Sequence, residues 1–261
     1  MITAASNSRI KRLVQLNQKS KLRRTEDVFL AEGVKMFLEA PREQLQEVYV
    51  SESFLEKCSC REHLEEVGYE VVSDSVFSKI SDTCTPQGVL CVLKQFHYNI
   101  EEMLRDKAPL FLLLENIQDP GNLGTMLRTG EGAGVSGIIM SRDTVDLYNP
   151  KVIRSTMGSI YRVPFYYADD FAAAVHQVQR AGVSVYAAHL RGKNSYACQD
   201  YTKGTAFLIG NEGNGLREET AELADCYIRI PMEGKVESLN AAVASSILMY
   251  EAHRQRATLE K

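Results

Sequence analysis

Leu110-Phe111-Leu112-Leu113-Leu114 runs directly into Glu115-Asn116-Ile117-Gln118-Asp119-Pro120-Gly121-Asn122-Leu123-Gly124. Five consecutive large apolar residues show no alternation, so neither face of this strand is built to meet water. That is the pattern of a strand inside a parallel sheet. Asp119-Pro120-Gly121 reads as a turn, with Asn122 able to cap a helix over about 123–133. Working outward, the alternation continues. Strands are predicted at 137–141, 163–167, 183–187, 206–209 and 227–230, a helix capped by Asp169 at 169–182, and a closing helix at 239–256. Such alternation predicts an α/β fold, a parallel sheet with helices on both faces. Ligands bind such sheets outside the carboxyl ends of the strands, which is where the strand-to-helix loops lie.

Upstream, 28–97 reads as a smaller α/β unit. Strands are predicted at 28–31, 47–50, 69–72 and 89–93, with helices from Val34 to Leu38 and around 53–67. The charged stretch 98–108 reads as a linker, which divides the chain into 1–97, 98–108 and 109–261. The first residues form a helical arm in which Ile10, Leu13, Val14 and Asn17 fall at helical spacing, with Asn7 or Ser8 as cap.

The chain has 261 residues, with 30 Lys and Arg against 34 Asp and Glu, a net charge of −4. An acidic average argues against a nucleic-acid partner. The average conceals a division, because residues 1–24 hold Arg9, Lys11, Arg12, Lys19, Lys21, Arg23 and Arg24 and no acid. This arm is either a solvated helical face or a phosphate-binding element, and the absence of any acid favours the second. No apolar run is long enough for a membrane span, and the N-terminus lacks the apolar core of a signal peptide. The cysteines form no metal-ligand pattern beyond the weak Cys58-x-Cys60 pair. The expectation is a cytoplasmic protein with reduced thiols, no membrane segment and no metal.

Three loops carry unusual residues. The first is 115–124, with Arg128 six residues after Asn122 on the following helix, at its surface or facing the loop. The second is Leu208-Ile209-Gly210-Asn211-Glu212-Gly213-Asn214-Gly215-Leu216, rich in glycine after an apolar strand. It matches neither the dinucleotide fingerprint nor a P-loop, so a Rossmann-type enzyme is disfavoured. The third runs from Ile230-Pro231-Met232 to Glu237-Ser238-Leu239-Asn240-Ala241-Ala242, where Ser238 can cap the last helix. Leu239, Val243, Ile247 and Tyr250 make a helical stripe that fits core or a subunit interface.

In this order the three loops resemble the signature motifs of the SpoU (TrmH-type) branch of the SPOUT RNA methyltransferases: N-L-G-x-x-x-R at 122–128, I-G-N-E-G-x-G at 209–215 and I-P-M-x-G-x-V-E-S-L-N-A-A at 230–242. Asn7-Ser8-Arg9-Ile10-Lys11, Phe29-Leu30-Ala31-Glu32-Gly33 and Thr85-Pro86-Gln87-Gly88 resemble the substrate-binding domain of ribosomal-RNA members. The resemblance implies a trefoil-knotted parallel-sheet domain behind a small L30e-like α/β domain. It implies a homodimer that moves a methyl group from S-adenosylmethionine to a ribose 2′-hydroxyl of RNA, most simply 23S ribosomal RNA. Transfer RNA is the alternative target, and an inactive RNA-binding member the alternative class. By the same resemblance Asn122, Arg128, Glu212, Ser238 and Asn240 are catalytic, Arg128 as base or as phosphate anchor. Leu208, Ile209, Gly210, Asn211, Gly213, Ile230, Met232, Ser238, Leu239, Asn240 and Ala241 would hold the cofactor. The seven basic residues of the arm would hold RNA.

Overall fold

The computed structural model describes residues 1–258; residues 259–261, the end of the expected catalytic domain, lie outside the described residues. The chain forms two compact units. One is Met1–Phe96 together with Asp146–Tyr161, and the other is His97–Val145 together with the chain from Arg162.

In the first unit the arm is two helices rather than one. α1 (Ser8–Gln18) is capped by Asn7, which accepts the N–H of Arg9 at 2.9 Å. Lys19 is extended, and α2 (Ser20–Glu26) starts afresh beyond it. β1 (Val28–Glu32), α3 (Val34–Leu38), β2 (Leu45–Ser51), α4 (Glu52–Lys57), α5 (Arg61–Val67), β3 (Glu70–Val72), α6 (Asp74–Ile80) and β4 (Val89–Lys94) follow. The helix expected over 53–67 is broken because Cys58 is extended, and α6 was not foreseen. The sheet order is β1-β4-β2-β3, with β4 antiparallel to both neighbours and β2 parallel to β3. Ile10, Leu13 and Leu16 of α1 are buried in one cluster with Val76, Phe77 and Ile80 of α6. The arm is therefore part of this unit's core.

The second unit begins with α7 (Ile100–Met103), inside the stretch expected to be a linker. Ile100 and Met103 are buried in the core cluster, which is what orders it. Next come β5 (Leu110–Leu114), α8 (Pro120–Ala133) and β6 (Gly137–Ser141). α9 (Pro150–Thr156), absent from the sequence reading, returns to the first unit and packs on β1. The second unit resumes with β7 (Phe165–Ala168), α10 (Phe171–Arg180), β8 (Ser184–Ala188), β9 (Asn194–Ser195), β10 (Thr205–Ile209), α11 (Glu218–Ala221), β11 (Cys226–Arg229) and α12 (Ala241–Ala257). Its sheet has the order β7-β6-β5-β10-β8-β11-β9, and every recorded pairing is parallel. All five residues of β5 are fully buried. Leu113, Leu208 and Ala187 lie in register across three strands and pack with Val175 and Val178 of α10.

Three caps differ from expectation by a few residues. Asp119 caps α8 by accepting the Asn122 N–H at 2.7 Å, Asp170 rather than Asp169 caps α10, and Asn240 rather than Ser238 caps α12. A cap must stand immediately before the first helical residue to reach the free N–H groups of the first turn. The shift moves Asn122 into the first turn of α8 and leaves its side chain free for other work.

Candidate functional site

The site grows from the end of β10. A Cβ on Gly210 would lie 2.2 Å from the carbonyl carbon of Gly215 and from the amide nitrogen of Leu216. Only glycine allows the chain to double back so closely. Asn211 and Gly215 then exchange backbone hydrogen bonds of 3.0 and 2.9 Å. The Asn211 side chain accepts from the N–H groups of Gly213 and Asn214 and donates to the Asn116 carbonyl at 2.8 Å.

This loop is one wall of a cavity of about 310 Å³ at the carboxyl ends of the central strands. Ala188 at the end of β8 with His189 and Leu190 after it, Ile228 and Arg229 at the end of β11 with Ile230 and Met232 after it, and Glu237 to Leu239 ahead of α12 with Ala241 and Ala244 on it complete the lining. Of the residues expected to hold the cofactor, Ile209, Gly210, Asn211, Gly213, Ile230, Met232, Ser238, Leu239 and Ala241 line this cavity. Leu208 does not: one residue earlier on the strand it faces the opposite way and is fully buried in the core. Asn240 does not line it either, because its side chain is turned to the N-terminus of α12 and to Asn122.

The sequence reading missed His189 and Leu190. His189 is held on its ring face by Tyr227, with centroids 5.1 Å apart, and its Nδ1 accepts the Arg191 N–H at 3.1 Å. Burial and the neighbouring Arg191 push its pKa down, which keeps the ring neutral near pH 7. A histidine after an apolar strand carries no motif, so spacing could not single it out.

Asn122, Glu212 and Asn240 form one relay. Asn240 Nδ2 donates to Asn122 Oδ1 at 2.9 Å, and Asn122 Nδ2 donates to Glu212 Oε1 at 3.0 Å. Glu212 also accepts the N–H groups of Gln118 and Asp119 at 3.1 and 3.0 Å. Burial would raise its pKa, but these bonds outweigh burial and hold the carboxyl below its ordinary value. Asn240 Oδ1 accepts from Ala242 and Val243. Three loops far apart in sequence are thus tied together. Ser238 stands at the cavity, exposed. Arg128 is not brought into the relay. Six residues is about 240° round the helix from Asn122, and Arg128 is exposed with no partner among the described residues.

The basic arm divides. Arg9 pairs with Glu70 at 3.0 Å, and Arg12 with Glu26 and Glu47 at 2.7 Å each. Arg23 is 3% exposed, donates to the carbonyls of Leu16 and Asn17, and pairs with Asp146 at 2.5 Å. Its place in the expected RNA-binding set is corrected: it bolts the arm to the unit's core. Lys11, Lys19, Lys21 and Arg24 are exposed and have no partner among the described residues. No group of three or more potential metal ligands occurs among the described residues, and no helix there is long and apolar enough to cross a membrane.

The cavity fits S-adenosylmethionine. Its apolar floor of Ile209, Ile228, Ile230 and Met232 suits a purine, and the collapsed glycine loop brings main chain rather than side chain to the wall. Comparison with known proteins agrees. Residues 109–250 match the SpoU rRNA Methylase family, and residues 7–91 match the MRM3-like substrate binding domain. The chain is 32% identical over 252 residues to the 23S rRNA (guanosine(2553)-2′-O)-methyltransferase RlmP of Bacillus subtilis strain 168, covering 95% of this chain and 97% of that one. An AdoMet-bound rRNA methyltransferase from Sinorhizobium meliloti has a TM-score of 0.83 at 31% identity, over 97% of each chain. The SpoU methyltransferase AviRb from Streptomyces viridochromogenes, in complex with AdoMet, has a TM-score of 0.87 at 26% identity, over 97% of this chain and 99% of that one. The chain belongs to the SpoU rRNA methylase family.

Proposed function

We propose that this protein transfers a methyl group from S-adenosylmethionine to a ribose 2′-hydroxyl of 23S ribosomal RNA. The observation that carries the reading is the cavity walled by the glycine loop, with the Glu212–Asn122–Asn240 relay tying its motif loops together. The cofactor supplies a methyl group already activated on sulfur, so the protein's task is alignment. The relay fixes Asn122 and the start of α12, while Ser238 remains exposed at the cavity. Arg128, solvated and unpaired, is equipped to hold a phosphate of the RNA. A guanidinium is a poor base because its pKa lies above ~12.

The RNA is held by the cationic quartet Lys11, Lys19, Lys21 and Arg24. Lys11, Lys21 and Arg24 stand on α1 and α2 and Lys19 on the single residue between them, and α1's apolar face is already packed, so little ordering cost remains on binding. The protein works as a homodimer. Val243 and Tyr250 on α12 are each 49% exposed, so the stripe they form with Ile247 is not core and is free to meet a second copy. Matches to rRNA enzymes over nearly the whole chain, substrate-binding part included, favour ribosomal over transfer RNA.

Methyl transfer from tritiated S-adenosylmethionine to total RNA, followed by mapping of the labelled nucleotide, tests the reading. The expected product is one 2′-O-methylated nucleotide in 23S RNA. Label confined to transfer RNA, or no label with a properly folded dimer, would refute it.

A further inference from the structure

Glu115 is a buried carboxylate that none of the three motifs contains. It follows the last residue of β5, and its N–H still donates to the Ile209 carbonyl at 2.9 Å. It therefore sits beside the point where the chain leaves β10 for the glycine loop. The residue is 2% exposed. Its carboxylate accepts the Arg217 N–H at 2.8 Å and the Thr220 hydroxyl, and the Arg217 guanidinium stands 3.6 Å away. Arg217 is the residue before α11 and caps nothing with its own side chain. A carboxylate from another strand thus fastens the place where the glycine loop ends.

The loop hangs from the segment 115–122 at three points. Its entry is tied by Asn211 to the Asn116 carbonyl, its middle by Glu212 to Gln118, Asp119 and Asn122, and its exit by Glu115 to Arg217 and Thr220. Between the ties lie Gly213, Asn214 and Gly215, which line the cavity. Burying a carboxylate is costly unless its acceptors are fully used, and here both oxygens are engaged on one short stretch of chain. We propose that Glu115 is a positioning residue for the cofactor. By fixing the exit of the loop it sets the shape of the cavity wall, and it touches neither cofactor nor RNA.

The inference rests on the cavity's being the S-adenosylmethionine site. The test uses the full chain and three variants, with affinity for S-adenosylmethionine measured by calorimetry, kcat at saturating cofactor and Tm without it. Glu115→Ala removes both bonds and is expected to weaken cofactor binding about tenfold or more while kcat stays within about threefold. Glu115→Gln can keep both bonds, its oxygen accepting from Arg217 and its NH2 donating to Thr220, whose hydroxyl turns to accept. It is expected to restore affinity to within about threefold of the parent. Thr220→Val loses one bond and should fall between, which keeps the test decisive if Glu115→Ala does not fold. Wild-type affinity in Glu115→Ala or Thr220→Val would overturn the inference. Equal losses in the Ala and Gln variants, with Tm falling in parallel, would also overturn it by assigning a general folding role. A parent protein that binds no S-adenosylmethionine would instead overturn the functional reading on which it rests.

Discussion

Glu212→Ala is the sharpest perturbation of the relay. The parent carboxylate accepts three close bonds, from Asp119 N–H and Asn122 Nδ2 at one oxygen, both 3.0 Å, and from Gln118 N–H at the other, 3.1 Å, beside a longer one from Asn211 Nδ2 at 3.4 Å. Bonds to a buried charge contribute about 1.5–3 kcal/mol each. Glu212 is exposed, so about 1 kcal/mol per bond is the appropriate discount, or about 3 kcal/mol for the three. A unit of this size loses about 2–4 °C of Tm per kcal/mol, which gives a fall of about 6–12 °C at pH 7. Glu212→Gln should lose about a third as much, because its NH2 replaces only the oxygen facing Gln118. The pH dependence has a definite sign. A carboxyl whose folded pKa is lowered stabilises the protein above its unfolded pKa and stops doing so as pH falls through the folded value. The gap between Glu212→Gln and the parent should therefore be constant from pH 7 down to the ordinary glutamate range and close as the pH falls below that range. Scanning fluorimetry across pH checks both statements. A Glu212→Ala Tm within about 2 °C of the parent at pH 7, or a Gln gap that persists undiminished in acid, would refute the assignment of these bonds.

Replacing Lys11, Lys19, Lys21 and Arg24 by Glu should weaken RNA binding and reduce the slope of log affinity against log salt by about 3, at about 0.7–0.9 per phosphate contact. An unchanged slope by filter binding would count against the arm as the RNA site. Arg23→Ala should behave differently, lowering stability by about 3 kcal/mol through the unpaired Asp146 while leaving the salt slope alone. Gly210→Ala places a methyl 2.2 Å from the Gly215 backbone and should cost roughly 10- to 100-fold in cofactor affinity; calorimetry showing parental affinity would mean the loop is not the wall. Val243→Glu with Tyr250→Glu should yield monomers by analytical ultracentrifugation, and a persisting dimer at micromolar concentration would locate the interface elsewhere.

The catalytic unit was legible because its signals are local. An all-apolar β5, a glycine loop after β10 and a Pro-stopped β11 each state their own structure within a few residues. What was lost depended on partners distant in sequence. Asp146–Tyr161 belongs to the first unit through contacts such as Tyr148 on Phe29 and Tyr161 Oη donating to the Met36 carbonyl at 3.0 Å, and no spacing rule reaches across more than a hundred residues. The arm is basic and folds as two helices, yet a count of charges cannot tell a solvated lysine from an arginine paired with Glu47 or Asp146. The same burial changes how the arm must be tested. Deleting residues 1–24 would strip Ile10, Leu13 and Leu16 from the core, so loss of RNA binding would follow from unfolding alone.

The relay also explains why its members are one glutamate and two asparagines. An ionised carboxylate only accepts, and the free N–H groups at a helix N-terminus only donate. Between Glu212 and the first turn of α12 stand two amides, each with one donating and one accepting end. Glu212 obliges Asn122 to present Nδ2, so Asn122 Oδ1 must receive, and Asn240 must present its Nδ2 in turn. That leaves Asn240 Oδ1 for Ala242 and Val243, which can use nothing else. Both ends therefore demand the same polarity: flipping Asn122 would break two bonds and flipping Asn240 three. Each Nδ2 keeps a second hydrogen, and Asn122 Oδ1 a second lone pair. Under the proposed function Asn122 would thus meet a ribose with a donor and an acceptor whose places are already settled before RNA arrives, which is the preorganisation that alignment of a hydroxyl with a waiting methyl group requires.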